Sequence, residues 1–349
     1  MKANTPFSLG GVSVEPGGRE IVSLPVAQLY TATSLHMQVK VVNGRRAGPV
    51  MFVSAAVHGD ELNGVEIVRR LLRLKALDAL RGTLLAVPVV NIHGFLDQSR
   101  YMPDRRDLNR SFPGSPRGSI AARLAHTFVE HVVQKASFGI DLHTGAVDRA
   151  NLPQVRANLD DPATQDIAMA FGAPVLINAA MREGSLRACA AASGIPMLVY
   201  EAGEALRFDE LSIRAGLRGI MRVMRRVGML PDKRHARKSS PVIARSTSWM
   251  RSPISGIVTG MVGLGRSVSK DEVIGKVSDP LGDQESEIIS RFDGIVIGRS
   301  NLPLAHEGDA LVHVAAFSDV ERAADALEEF AAIHDPALGR VVESKLIGT

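Results

Sequence analysis

The chain has 349 residues, 45% of them hydrophobic and 22% charged, a balance that excludes a disordered chain and leaves enough apolar material for two domains with sizeable cores. The formal net charge is +4, but 11 of the 41 basic residues fall between Arg214 and Arg251, where Asp232 is the only acid, leaving 30 basic against 36 acidic residues elsewhere. One local basic stretch and 4% aromatic residues do not make a nucleic-acid-binding surface.

The N-terminal residues MKANTPFSLGGVSVEPGG lack the apolar core of a signal peptide, and the most apolar stretch, Ala188 to Tyr200, is too short to span a bilayer. The single cysteine, Cys189, forms no internal disulfide framework and no cysteine-rich zinc module. A soluble, cytoplasmic protein with no membrane or nucleic-acid partner is expected.

From about residue 50 to 228 short β-branched runs alternate with longer helical patterns, as in an α/β domain with a largely parallel sheet. Four runs, Met51 to Val57, Leu84 to Val90, Phe138 to Leu142 and Pro196 to Tyr200, stop directly at His58, Asn91, His143 and Glu201. Ligands of open α/β sheets bind beyond the carboxyl ends of strands, so these four residues are expected to share a site. Helices are expected after His58, with Leu62, Val65, Val68, Leu71 and Leu72 on one face, and after Ser212, with Ile213, Leu217, Ile220 and Met224 opposite a row of arginines. The charged, breaker-rich segment 231 to 241 reads as a linker.

Residues 249 to 317 change character to short Val/Ile runs, frequent glycines and an internal near-repeat. SPISGIV (252 to 258) returns as SRFDGIV (290 to 296), and VIGKV (273 to 277) is echoed by ALVHV (310 to 314). Two half-motifs suggest a small pseudo-symmetric β-sandwich, similar to the lipoyl- and biotinyl-type barrel-sandwich hybrid. The hairpin SDPLGDQESE lacks the lysine a carrier domain needs, so a scaffold role is expected. The domain reading is therefore 1 to 240 catalytic, with a short N-terminal β segment, 241 to 317 β-rich, and 318 to 349 a helical extension.

HGDELNG (58 to 64) expects His58 as the last residue of a strand and Glu61 on the first turn of a helix, with both side chains at one point. Zinc takes imidazole nitrogen and carboxylate oxygen, and a catalytic site needs a third ligand and an open position. His143 in GIDLHTG is the candidate, with Asp141 two residues before it to orient a ligand. HxxE spacing by itself is weak, and either histidine could be an ordinary packed residue; the joint occurrence lifts the metal reading.

Taken together, HGDELNG, RDLNRSFPG (106 to 114), DLHTG (141 to 145) and YEAGE (200 to 204) resemble the succinylglutamate desuccinylase and aspartoacylase family of zinc deacylases, similar in turn to the zinc carboxypeptidases, across residues 7 to 317. The resemblance implies an α/β/α sandwich of the zinc carboxypeptidase type with a C-terminal barrel-sandwich-hybrid-like domain. It implies one Zn2+ per chain on His58, Glu61 and His143, and a substrate carboxylate held by Asn109 and Arg110. It also implies that Glu201 takes a proton from the attacking water and passes it to the leaving amine. The planar guanidinium fork and a neighbouring amide suit a carboxylate. Glu204 is the rival base, read as a surface residue or one supporting the site. An oxyanion stabiliser is expected among Arg100, Arg105 and Arg106, which spacing does not separate; Arg100 is preferred.

GMVGLGRS (260 to 267) is read as a turn, since arginine replaces the phosphate-loop lysine and no helical pattern follows. Cys189 is read as a small core residue, and His126 and His131 as surface or packing residues. The expected function is zinc-dependent removal of an N-acyl group from a small carboxylate-bearing amino acid or related amine. The alternatives are a zinc carboxypeptidase and a non-enzymatic metal-binding scaffold or sensor. The partner is the small N-acyl amino acid, and self-association into a homo-oligomer is left open.

Overall fold

The computed structural model describes residues 2–232 and 241–334; most of the linker segment and the end of the C-terminal extension lie outside them. The chain begins with a hairpin, β1 (Phe7–Leu9) and β2 (Val12–Val14), and two long strands, β3 (Arg19–Gln28) and β4 (Ser34–Asn43). The alternating part follows with β5 (Arg46–Ala55), α1 (Asn63–Leu72), β6 (Arg81–Val87), α2 (Ile92–Leu96), α3 (Ile120–His131) and β7 (Phe138–Gly145). It continues through β8 (Arg149–Ala157), α4 (Pro162–Phe171), β9 (Val175–Asn178), α5 (Leu186–Ala192), β10 (Met197–Glu204) and α6 (Glu210–Arg226).

Strands β6, β5, β7 and β10 are mutually parallel and form the centre of the large sheet. Every residue of β7 is buried, as a strand covered on both faces must be, which is why it reads as a continuous apolar run. The pleat of β5 sorts Met51, Val53 and Ala55 into the core under α1, α4 and α6, and Phe52 into the core under α3 and α5. The α/β/α sandwich follows from that alternation. On α1 the fully buried stripe is Ile67, Val68 and Leu71, with Val65 and Leu72 at its margin. On α6, Ile213, Ile220 and Met224 are buried and Leu217 packs at the edge.

The C-terminal part contributes β11 (Val242–Ala244), β12 (Ser246–Arg251), β13 (Gly256–Thr259), β14 (Ser267–Val268) and β15 (Val273–Ser278). Then come β16 (Glu285–Ile289), β17 (Gly294–Ser300), β18 (Leu304–Ala305), β19 (Ala310–Ala316) and α7 (Val320–His334). The repeated half-motifs form two antiparallel pairs, β13 with β15 and β17 with β19. The first pair belongs to a four-stranded sheet and the second to the large sheet; Val258, Ile274, Val277, Val296, Val312 and Val314 join one core between them.

This region is continuous with the large sheet of the α/β part. One edge of β8 pairs with β10; the other is divided, residues 149–151 pairing with β17 and residues 154–157 with β9. Among the described residues no helix is long and apolar enough to cross a membrane.

Candidate metal centre and substrate cavity

The sheet brings three of the four expected strand-end residues together, with local differences. Strand β5 stops at Ala55, and Ala56 takes a left-handed φ of 50° that turns the chain away from the sheet. His58 therefore lies three residues beyond the strand, and Glu61 precedes α1 rather than standing in its first turn. A side chain at Gly59 would sit 1.9 Å from the backbone carbon of Gly94, so only glycine lets this turn lie flat on α2. His143 and Glu201 fall inside β7 and β10 rather than after them, because the two strands continue to pair; the residues stand opposite each other in register. Asn91 does not join the site. It is fully buried and caps α2, its Oδ1 accepting from Gly94 N at 2.8 Å.

His58, Glu61 and His143 are buried, and their donor atoms lie within 4.8 Å of one another. Glu61 faces His58 Nδ1 through Oε1 and His143 Nδ1 through Oε2, each at 2.7 Å. The second ring nitrogens have their own carboxylates: His58 Nε2 lies 3.2 Å from Asp107 Oδ1, and His143 Nε2 lies 2.6 Å from Asp141 Oδ2. Asp141 in turn accepts from Ser54 Oγ at 2.7 Å. Two residues apart on one strand, Asp141 and His143 share a face. Burial pulls the His58 and His143 imidazoles toward neutrality, but the surrounding carboxylates outweigh it and raise both. Burial would likewise push the Glu61 carboxyl up, yet the two histidines hold it well below the usual range.

This donor set fits a zinc-like dication. Two imidazoles and one carboxylate supply three ligands of the kinds zinc prefers. The outer carboxylates orient each ring so that Nδ1 faces the common point, an arrangement typical of metal-ligating histidines.

A cavity of about 500 Å³ opens beside these residues, and Arg100, Asn109, Arg110, Asn151 and Glu201 all line it. Of the three candidate arginines only Arg100 does so: its Nη1 donates to Glu61 Oε1 at 3.3 Å and its Nη2 to Asp107 Oδ2 at 3.1 Å. Arg105 and Arg106 are exposed outside the cavity. Asn109 Oδ1 accepts from Leu186 N at 2.9 Å, which leaves its Nδ2 for a ligand. Arg110 is exposed, and one of its nitrogens donates to the Asn109 carbonyl. Glu204 is buried, not superficial, and outside the cavity lining; it accepts from Asp148 N and from Asn301 Nδ2 of the C-terminal region.

Sequence reasoning missed several residues. Asp107, which ties His58 to Arg100, lies inside RDLNRSFPG and was open to the same logic as Asp141. Asn151 and Arg156 flank Glu201 from β8, and Arg182, Arg187, Arg245 and Trp249 line the cavity. Those carry no local signal, because they are brought in by strand pairing and loop packing.

The fold is thus the carboxypeptidase-like α/β/α sandwich with a β-rich C-terminal region. The chain belongs to the succinylglutamate desuccinylase/aspartoacylase family, whose catalytic-domain profile matches residues 47–227. It is 26% identical over 332 residues, 90% of this chain and 94% of the relative, to N-alpha-acetyl-L-2,4-diaminobutyric acid deacetylase of Halomonas elongata. Among solved structures, a succinylglutamate desuccinylase/aspartoacylase of Rhodobacter sphaeroides matches with a TM-score of 0.75 at 25% identity, over 86% of this chain and 96% of that one. The product-bound ectoine utilization protein EutE (DoeB) of Ruegeria pomeroyi matches with a TM-score of 0.79 at 24% identity, over 90% and 99%.

Proposed function

We propose that the protein is a zinc-dependent hydrolase that removes an N-acyl group from a small amino acid or related amine bearing a free carboxylate. The observation that carries the reading is the placement of Glu201 beside the His58, Glu61 and His143 cluster, at the edge of a cavity with an excess of arginine. A dication bound there would lower the pKa of water and polarise the amide carbonyl. Glu201 takes the proton of the attacking water and returns it to the leaving nitrogen as the C–N bond breaks, so the products are a free carboxylate and an amine. Arg100, fixed by Glu61 and Asp107, offers its remaining N–H groups to the carbonyl oxygen as negative charge grows there. Asn109 Nδ2 and Arg110 hold the substrate carboxylate.

Seven arginines line the cavity, Arg100, Arg110, Arg149, Arg156, Arg182, Arg187 and Arg245, against the carboxylates of Glu61, Asp141 and Glu201. That excess supports an anionic substrate. The Halomonas relative removes an acetyl group from an amino acid, which supports the reaction type, although the cationic amine of its substrate is ill suited to so many guanidinium groups. Arg245, Ser246, Thr247 and Trp249 from the C-terminal region occupy one wall, which favours a small substrate over an extended peptide and so disfavours the carboxypeptidase reading.

The test is a panel of N-acetyl and N-succinyl amino acids followed by mass detection, with Arg110→Ala beside the wild type. The variant should raise KM strongly for carboxylate substrates. Uncharged amide analogues should be poor substrates of the wild type and change little in the variant. Efficient trimming of long peptides, or indifference to loss of the substrate carboxylate, would refute the deacylase reading. Stoichiometric zinc with no hydrolysis across the panel would favour the metal-binding scaffold.

A further inference from the structure

Among the described residues, the hydrogen bond and the ion pair that Glu201 makes both come from β8, and the charge of Arg187 on α5 acts on it as well. Asn151 Nδ2 donates to Glu201 Oε2 at 2.8 Å, and Arg156 Nε lies 3.4 Å from Oε1, buried and without a hydrogen bond. The carboxylate is therefore gripped on the side of the sheet and left open toward the cavity.

Asn151 is itself held from both sides. It pairs with Gly203 of β10 and with Gly298 of β17, the point at which the C-terminal region joins the large sheet. Of these two cross-strand glycines it is Gly298 that faces the amide, whereas a side chain at Gly203 would point at Asn63, Asp209 and Ser212. A Cβ on Gly298 would come within 3.0 Å of Asn151 Oδ1 and 3.2 Å of the His313 Cβ. His313 stacks on Trp249, their ring centres 4.6 Å apart. A side chain at Gly298 therefore presses on the amide that contacts Glu201, which must give by a few tenths of an ångström, since the packed ring pair limits movement on the other side.

We infer that Asn151 is a positioning residue for Glu201, and that β17 of the C-terminal region sets Asn151 through the bare face of Gly298; this rests on the reading of Glu201 as the general base. The C-terminal region then has a task beyond walling the cavity, because it fixes the angle at which the carboxylate meets the attacking water. An angular error of this kind is costly, as a displacement of about 1 Å can cost on the order of 100-fold in rate.

The test combines Asn151→Ala and Asn151→Asp with Glu201→Gln in the full-length, zinc-loaded enzyme, with metal content and melting temperature recorded for each. Asn151→Ala should lower kcat about 10- to 100-fold, the range typical of residues that orient an active group, while KM stays within about twofold. Asn151→Asp has the same shape but cannot donate and sets a second negative charge beside Glu201, so it should lose at least as much. In the Glu201→Gln background, Asn151→Ala should cause little further loss, because a residue acting through Glu201 has nothing left to orient. Gly298→Val should lower kcat in the same direction without reaching substrate.

A loss of equal size in both backgrounds, a change confined to KM, or a fully active Asn151→Asp would overturn the inference. Near wild-type turnover in Glu201→Gln alone would instead remove the general-base reading. The two failures are thus separately visible.

Discussion

At the scale of single residues, the site is a set of donors whose second contacts decide what they can do. His143 offers Nδ1 to the cluster only because Asp141 takes Nε2, and Asp141 is in turn steadied by Ser54. Replacing His143 with alanine should abolish stoichiometric zinc binding, as measured by elemental analysis after dialysis; unchanged metal content would remove it from the donor set. Glu201→Gln should keep both metal and fold, since the amide is nearly isosteric, and lose about 10²- to 10⁴-fold in kcat because it cannot accept the proton. Turnover near that of the wild type would shift attention to another base. Glu204 is a poor substitute, since its oxygens are occupied by Asp148 N and Asn301.

At the scale of elements, β8, β10, β12, β17 and β19 bring Asn151, Arg156, Glu201, Trp249, Gly298 and His313 to one region of the large sheet. His313 on β19 reports on that layer. Burial and the nearby Arg156 charge push its imidazole down to about 3. The unfolded value is about 6.5, so between roughly 6.5 and 3 the unfolded chain binds the proton that the folded chain refuses. The stabilising share of this residue is complete above about pH 6.5 and is lost as the pH falls through that window. His313→Phe keeps a ring against Trp249 and removes the titration. The melting-temperature difference between variant and wild type should therefore move in favour of the variant as pH drops from 7 to 4, and a constant difference would mean that His313 titrates normally.

At the scale of the whole molecule, the C-terminal region is built into the large sheet through β17 and β8 and supplies Arg245, Ser246, Thr247 and Trp249 to the cavity. The barrel-sandwich resemblance raises the question of a carried prosthetic group. The β15–β16 turn, residues 279 to 284, contains no lysine, and nearby Lys276 is paired with Glu285 at 2.6 Å. Intact-mass measurement of protein from its native host should find no lipoyl or biotinyl addition; a covalent group mapped to Lys270 or Lys276 would contradict the scaffold role.

Much of this was legible in the sequence, for a local reason. Central parallel strands are buried on both faces, so β5, β6, β7 and β10 appear as apolar runs, and the polar residues near their ends mark the ligand edge. The half-motif repeat likewise exposed the two antiparallel pairs of the C-terminal region. Strand ends were less legible: Ala56 turns β5 away early, while β7 and β10 run past His143 and Glu201 because each pairs with the other. Asn91 had the same local signature as its three companions and became a helix cap. Sequence by itself thus determined the donor types, their strands and the family resemblance. Only the tertiary structure decided that Arg100 rather than Arg105 or Arg106 lines the cavity, that Asn151 and Arg156 grip Glu201, and that the C-terminal strands close one wall. Those contacts join residues far apart along the chain through strand register and loop packing, for which a local pattern of apolar and polar residues holds no record.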